Sequence, residues 1–159
     1  MKEVINIYKK QKINVDSFLK RLIDSLPKEY MTEAPSILKQ YGYIQLMYGV
    51  DCEYKQITPI MFKKGEDPSN IGSDKTHYFV KLHLDEDGIY ISNPYIHYKT
   101  GKASISVVHF INSTYYIFDI NLILLLEELK LIEYNSFHDK IKRAIYFFGS
   151  TSLALVSIA

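Results

Sequence analysis

Residues 87–121 read DGIYISNPYIHYKTGKASISVVHFINSTYYIFDIN and predict three consecutive β-strands. In the first strand, Ile89 and Ile91 alternate with more polar neighbours, which is the two-residue period of a half-buried strand. Residues 104–110 and 115–120 are β-branched and aromatic runs separated by a short polar turn, the pattern of a hairpin. The stretch therefore predicts the centre of an antiparallel sheet.

Two helical patterns precede this sheet. Residues 3–26 carry apolar side chains at three- and four-residue spacing with lysines opposite, which predicts one long amphipathic helix that Pro27 ends. Residues 32–40 predict a shorter helix, with Thr32 as its N-cap and Pro35 in its first turn. The apolar stripe of the long helix fits packing on the sheet, and it also fits the seam of a homodimer.

Further elements lie on both sides of the opening stretch. Residues 43–50 and 53–58 predict a hairpin that turns over Asp51-Cys52. Residues 63–74 form a polar loop without helix or strand pattern, of a length found in functional or mobile loops. The leucine-rich residues 122–131 predict a helix after the sheet. These patterns together predict the α+β class, with about five antiparallel strands.

Residues 144–159 (AIYFFGSTSLALVSIA) contain no charged side chain. Such a run fits either a buried C-terminal helix or the start of a transmembrane helix, and we favour the second. We therefore expect one domain at 1–133, followed at 134–159 by a juxtamembrane helix and the beginning of a membrane span. The basic run at 140–143 favours a cytoplasmic position for the domain, with the extracytoplasmic side as the alternative.

Composition and motifs argue against several classes of function. The nineteen basic and eighteen acidic residues nearly balance, so no nucleic-acid partner is expected. Cys52 is the single cysteine, which excludes an internal disulfide and a cysteine-rich metal site. The five histidines lack paired metal-ligand spacing, and no glycine-rich phosphate loop is present. We expect no catalytic residue, metal or cofactor, and an enzymatic activity is the least favoured interpretation.

A set of polar and aromatic side chains remains that suits a small-ligand pocket. Such pockets combine a few converging polar groups with aromatic walls. Lys75 and nearby histidines would favour an anionic group such as a carboxylate, and Asp119 would pair with a cation or orient a neighbour. The predicted ligand-contacting residues are Lys75, His77, Tyr78, Tyr90, Tyr95, His97, Thr100, Ser106 and Asp119, with Ser92 beside them.

The order of these elements resembles the PDC (Cache-type) sensor domains, which are extended PAS-like ligand-sensing domains of bacterial signalling proteins. The resemblance covers roughly residues 1–130. It rests on the long first helix and on LMYGVDCEYKQITP at 46–59, YISNPYIHYKTGKASISV at 90–107 and YYIFDINLILLLEEL at 115–129. It implies a long N-terminal helix packed on a roughly five-stranded antiparallel PAS-like sheet, followed by C-terminal helices.

Many domains of this family share a binding pattern for amino acids. The positions that match it are Tyr78, Tyr95, Thr100, Gly101 and Asp119, and Ser106 replaces a threonine. Lys75, His77 and His97 stand where the pattern has an arginine, a tryptophan and an aspartate. Lysine lacks the planar fork that grips a carboxylate in bidentate fashion, and loss of the second acid weakens the clamp for an amine. The resemblance therefore implies a small anion such as an organic acid rather than an α-amino acid.

The resemblance also implies a role in signalling. The family usually places one membrane helix before the sensor and another after it; this sequence shows only the second pattern, which again favours a sensor that faces the cytoplasm. The leading interpretation is a ligand-sensing domain of a membrane-anchored bacterial protein. The alternative is a ligand-less interaction or scaffold domain that assembles partners at the membrane.

Overall fold

An antiparallel sheet of seven strands lies at the centre of the fold in the computed structural model, which describes residues 2–132. The elements in chain order are α1 (Lys2–Lys10), α2 (Lys12–Ser25), α3 (Ala34–Gln40), β1 (Ile44–Asp51), β2 (Ile60–Phe62), β3 (Gly65–Asp67), α4 (Thr76–Phe79), β4 (Ile89–Ile91), β5 (Tyr95–Ile96), β6 (Ala103–Ile111), β7 (Thr114–Asn121) and α5 (Leu122–Glu128). The predicted α+β class is confirmed.

The strands follow the spatial order β3-β2-β1-β7-β6-β4, and β5 pairs with β6 along the same edge as β4. The longest strands, β1, β6 and β7, therefore lie side by side in the middle of the sheet. The sequence predicted about five strands because β2, β3 and β5 have only three, three and two residues. β4 also has three residues, but the alternation around it continues to Ser92, whereas no alternating run marks β2, β3 or β5.

The β6–β7 hairpin agrees with the prediction. Its turn is Asn112-Ser113, whose φ angles of 52° and 60° are both positive. Positive φ at both central positions is what a type I′ turn requires, and its twist matches that of the flanking strands. Thr114 pairs with Ile111 and belongs to β7 rather than to the turn.

The predicted strand 53–58 is wrong. The strand that pairs with β1 is β2, with Met47 opposite Met61. Residues 53–58 do not form a strand because Tyr54 has a positive φ of 64°. In addition, the backbone N–H and carbonyl of Gln56 hydrogen-bond to the following loop. The Gln56 N–H donates to the Ser73 carbonyl, and the Gln56 carbonyl accepts from Gly72. A bridge between Gln56 and Val50 is what remains of the predicted pairing.

The loop predicted at 63–74 is more ordered than its composition suggests. It contains β3, which pairs with β2 and forms the edge of the sheet. Its second half is fixed by the hydrogen bonds to Gln56, and Lys75 N donates to the Tyr54 carbonyl. The short helix α4 follows directly and carries the buried Phe79.

The single long helix predicted at 3–26 is two helices, α1 and α2, which meet at Gln11. The apolar stripe is buried within the chain: Val15 and Leu19 are fully buried, and Phe18 contacts the Tyr43 ring edge-on. This supports packing on the chain's own sheet; the homodimer stays a prediction. Thr32 is not the cap of α3, since α3 begins at Ala34 and no side chain caps it.

The two faces of the sheet have different partners. On one face, Tyr30 packs edge-on against Phe118 and Tyr116, close to the N-terminal helices. On the other face, Phe79 and its neighbours cover an apolar cluster of Val50, Val108 and Ile117. Phe79 and its neighbours lie over one end of this face. Ser106 and Asp119 stand opposite each other farther along β6 and β7. The second face therefore holds the polar residues of interest.

The contacts of the chain divide it after Leu125, so residues 126–132 are the described start of a second unit. Helix α5 ends at Glu128, three residues before the predicted end. The predicted boundary near 133 and the segment 134–159, including the predicted membrane span, lie outside the described residues. Among residues 2–132, no helix is both long enough and apolar enough to cross a bilayer.

Candidate ligand-binding site

Asp119 is the centre of a hydrogen-bonded network on the second face of the sheet. The Tyr95 hydroxyl donates to Oδ1 of Asp119 at 2.6 Å. The same hydroxyl lies 2.8 Å from Oγ of Ser106, which stands opposite Asp119 on the neighbouring strand. A phenol has one proton, and the carboxylate receives it, so the Ser106 hydroxyl donates to the Tyr95 oxygen. Three strands thus contribute one group each.

His97 completes the network from the loop after β5. Its Nε2 lies 3.3 Å from Oδ2 of Asp119, and the two side chains are 13% and 6% exposed. Its Nδ1 accepts the backbone N–H groups of Lys99 and Thr100, at 3.2 and 3.4 Å. Because Nδ1 acts as the acceptor, the ring proton sits on Nε2 and points to Asp119. The loop therefore fixes both the orientation and the tautomer of the imidazole.

The electrostatics of the network follow from burial. Burial raises the pKa of Asp119, and the hydrogen bond from Tyr95 and the adjacent His97 oppose that rise. Burial also raises the pKa of Tyr95, and the negative charge of Asp119 adds to it. Both carboxylate oxygens of Asp119 already have a partner from the chain itself. The acceptor capacity that Asp119 has left for a ligand's amine is correspondingly reduced.

Lys75 and two tyrosines form a second group on the same face. The Nζ atom of Lys75 lies 5.9 Å from the ring centroid of Tyr48 and 5.4 Å from that of Tyr78. These distances are typical of cation–π contacts. Burial lowers the pKa of Lys75, and the positive charge of Lys99 lowers it further. Among residues 2–132, no carboxylate forms an ion pair with Lys75. Its ammonium is a partly desolvated cation without a counterion from the described chain.

Tyr48 connects the two groups. Its ring lies under Lys75, and its strand pairs with that of Asp119. Burial raises the pKa of Tyr48, and Tyr78, Asp119 and Tyr98 add to the rise. Tyr48 was missed by the sequence reasoning, although the alternation in β1 places it on the face of Asp119. Tyr98 belongs to the loop after β5, and no sequence signal marks it.

The structure therefore assembles part of the predicted set. Tyr95, His97, Ser106 and Asp119 meet in one network, and Lys75 and Tyr78 lie at the Tyr48 ring. That any of these residues contacts a ligand stays a prediction.

The other predicted residues have different surroundings. His77 is exposed, with its ring 4.2 Å from the Tyr78 ring. Thr100 is exposed, and its hydroxyl accepts the Lys102 N–H within the turn. Tyr90 packs on the apolar cluster. The Ser92 hydroxyl accepts the Ser106 N–H, so Ser92 fastens the end of β4 to β6.

A separate groove of about 620 Å³ lies between α3 and the β2–β3 hairpin. It is lined by Pro35, Lys39, Met61, Phe62, Lys63, Gly65 and Glu66. None of the predicted ligand-contacting residues lies there, and the sequence reasoning gave no sign of it.

Comparison with known proteins identifies the fold only through solved structures. No protein-family profile and no curated protein matches the chain. The YkuI protein of Bacillus subtilis, which includes an EAL domain, superposes with a TM-score of 0.56 at 17% identity. The match covers 79% of this chain and 37% of that one.

A second match is the extracellular domain of the histidine kinase vpHK1S-Z8. It has a TM-score of 0.51 at 12% identity and covers 80% of this chain and 59% of that one. The chain thus spans less than two thirds of each matched structure. Together with the strand order and the N-terminal helices, these likenesses show that the chain has the fold of the extended PAS-like (PDC, Cache-type) sensor domains.

Proposed function

We propose that the domain senses a small organic anion, which binds on the second face of the sheet with its carboxylate at Lys75. The observation that carries the proposal is the Lys75 ammonium, which rests on the rings of Tyr48 and Tyr78 and has no ion-pair partner among residues 2–132. A carboxylate placed there would form a charge-assisted hydrogen bond with a cation that is already partly desolvated. The tyrosine rings would contact the carbon skeleton of the ligand.

The Asp119 network supports an anion over an α-amino acid. An amine needs an acceptor, and the two oxygens of Asp119 already accept from Tyr95 and His97. An added amine would have to share a carboxylate that already accepts from Tyr95 and from His97, whose ring the Lys99 and Thr100 amides hold in place. An acid without an amine requires no such sharing.

Calorimetric titration of the 159-residue chain with acetate, lactate, succinate, citrate and alanine tests this proposal. We expect at least one acid to bind and alanine not to bind. The substitution Lys75→Gln removes the cation and should weaken binding about ten-fold or more, which corresponds to about 1.4 kcal/mol. The matched control is Lys81→Gln, since Lys81 is exposed and lies close in sequence. Absence of binding by every acid, or equal binding by Lys75→Gln, would contradict the proposal.

For signalling, the ligand must bind one conformation of the domain better than another. We propose that the output is delivered by a region or partner outside this domain, as in multidomain sensors. We also propose membrane anchoring through residues 144–159, with the domain on the cytoplasmic side. A reporter fused to the N-terminus that is active only when exported would overturn that orientation, and recovery of the chain in the soluble fraction would overturn the anchoring.

A second candidate is a ligand-less interaction domain. It is favoured by one observation: each oxygen of Asp119 already has a partner from the chain, Tyr95 for one and His97 for the other. Such a domain would bind none of the acids, and Lys75→Gln would leave its assembly with partners unchanged. The calorimetric panel therefore separates the two functions.

A further inference from the structure

The groove between α3 and the β2–β3 hairpin lies apart from the Asp119 network. Its volume of about 620 Å³ is in the range of small-molecule pockets. Met61, which lines it, pairs with Met47 of β1, and Met47 pairs with Phe118, on the face near the N-terminal helices. Residues opposite each other on paired strands share a face, and successive residues of a strand point to opposite faces. Met61 therefore lies on the side of the sheet opposite to Asp119.

Helix α3 supplies the other wall of the groove. Pro35 and Lys39 both line it and stand four residues apart, so they are neighbours on one side of the helix. Both are exposed, whereas Ile37 and Leu38 are buried. The groove thus has apolar Pro35 on one wall and Met61 on the other, with a lysine toward the end of α3.

A second ammonium group lies at the same end of the groove. Lys39 is in the last turn of α3. Lys63 belongs to the turn between β2 and β3, and its Nζ lies 3.4 Å from the carbonyl oxygen of Gly42, just after α3 ends. An ammonium has three protons, so this contact holds the Lys63 group in place and leaves two protons for a ligand. In the part of the chain that the structure describes, neither lysine forms an ion pair.

The groove also contains one carboxylate. Glu66 stands opposite Met61 in β3 and is exposed. Within residues 2–132, its carboxylate forms no ion pair with Lys39 or Lys63. Two cations therefore line the groove against one anion, and direct contact neutralises none of them. This balance of charge favours an anionic ligand.

We propose that this groove is a second ligand-binding site, for a carboxylate that carries an aliphatic chain. The carboxylate would contact Lys39 and Lys63, and the chain would lie on Pro35 and Met61. Exposed ion pairs contribute little by themselves, so the burial of the chain must supply most of the affinity. A short acid without such a chain is therefore not expected to occupy the groove. The inference is independent of the site proposed at Lys75.

NMR titration of the ¹⁵N-labelled 159-residue chain with octanoate, butanoate and octanamide tests the inference. We expect octanoate to shift the amide signals of Lys39, Met61 and Glu66 in a saturable way. It should bind about ten-fold or more tightly than butanoate, since each CH₂ group that leaves water tightens binding by up to about four-fold. Octanamide has nearly the same shape without the charge and should bind about three-fold or more weakly than octanoate.

Three substitutions test the charges. Lys63→Gln should weaken octanoate binding about three-fold or more, whereas Lys64→Gln should leave it unchanged. Lys64 is the matched control because it is the neighbouring exposed lysine of the same turn and does not line the groove. Glu66→Gln removes the opposing charge and should tighten octanoate binding about two-fold. A general loss of structure would weaken binding in both Lys63→Gln and Glu66→Gln.

The inference is overturned if octanoate does not bind, if butanoate or octanamide binds as tightly, or if Lys63→Gln has no larger effect than Lys64→Gln. It is also overturned if the octanoate shifts centre on Tyr48 and Lys75 and Lys75→Gln abolishes them, a result that would leave the proposed function standing. Binding of octanoate in the groove together with no binding of any short acid at Lys75 would support the inference while the proposed function fails.

Discussion

The Nε2 atom of His97 lies 3.3 Å from Oδ2 of Asp119, in a largely buried group of side chains that also includes the Tyr95 hydroxyl. The imidazole occupies the position at which the sequence resemblance implies a second carboxylate. Two carboxylates at this spacing would repel each other unless a cation came between them. A histidine that donates to Asp119 removes that need, and this supports the proposal of a ligand without an amine.

Replacement of His97 by alanine should therefore destabilise the domain. It would leave Oδ2 of Asp119 buried without its donor, at a cost of about 1–3 kcal/mol in the free energy of unfolding. Urea denaturation followed by circular dichroism measures this. The control is His77→Ala, which removes an exposed ring and should change stability by less than about 0.5 kcal/mol. Equal stability of the two variants would show that the His97–Asp119 bond is not formed.

Gly88 should tolerate no side chain. Its φ is 74°, and a Cβ added there would lie 2.9 Å from the carbonyl oxygen of Phe110. That oxygen belongs to the backbone of β6, and the Phe110 N–H donates to the Gly88 carbonyl at 2.8 Å, so the strand has little room to withdraw. Gly88→Ala should lower the unfolding free energy by the left-handed backbone cost of about 1–2 kcal/mol and by the steric clash in addition.

Gly101→Ala is the matched control for this prediction. Gly101 has a similar φ of 67°, but no atom lies within 4 Å of its added Cβ. It should therefore show the backbone cost alone, and denaturant midpoints should rank wild type above Gly101→Ala and Gly101→Ala above Gly88→Ala. A Gly88→Ala variant as stable as Gly101→Ala would refute the close approach to Phe110.

His109 should make stability depend on pH. It is 7% exposed, and its Nδ1 lies 2.7 Å from the Tyr30 hydroxyl. Burial lowers its pKa from the ordinary 6.5, and Lys28 lowers it further, whereas Asp24, Asp85 and Asp87 oppose the shift. The unfolded chain therefore binds this proton at a higher pH than the folded chain does. Its contribution to stability is complete above about pH 6.5 and is lost as the pH falls from there to the folded-state pKa.

Thermal unfolding between pH 7.5 and pH 5 measures this contribution, with the pH values chosen to span the unfolded pKa of about 6.5. Wild type should lose stability over the acidic half of the range, by about 1.4 kcal/mol for each unit by which folding lowers the His109 pKa. His109→Gln should lack this part of the loss. Parallel pH profiles for the two proteins would contradict the prediction.

The fold was predictable where local pattern and tertiary contacts agree. The β6–β7 hairpin follows from alternation on both strands and from a turn sequence that accepts positive φ at Asn112 and Ser113. The segment 53–58 has the same strand-like composition, yet it forms only one bridge to β1, and the backbone of Gln56 bonds to Ser73 and Gly72 in the following loop. The local sequence pattern does not indicate these hydrogen-bond partners, so it predicted a strand there.

The site shows the same division. Ser106 and Asp119 stand opposite each other because β6 and β7 pair, and the strand prediction is enough to anticipate this. Tyr95 reaches them from β5, which is too short to be predicted from alternation. The partnership of Lys75 with Tyr48 depends on how the chain folds back over the sheet after Gln56, which alternation does not encode. The same holds for the break at Gln11, since the apolar spacing continues across it.

The central claim is that a small acid binds at Lys75 on the second face of the sheet. Two-dimensional NMR of the ¹⁵N-labelled 159-residue chain during titration with the tightest-binding acid tests it most directly. We predict that the amide shifts of Tyr48, Lys75 and residues 97–100 change in a saturable way, that those of Tyr30 and His109 on the opposite face do not, and that Lys75→Gln abolishes the changes. Shift changes centred on the groove between α3 and the β2–β3 hairpin, or no changes with any acid, would contradict the account.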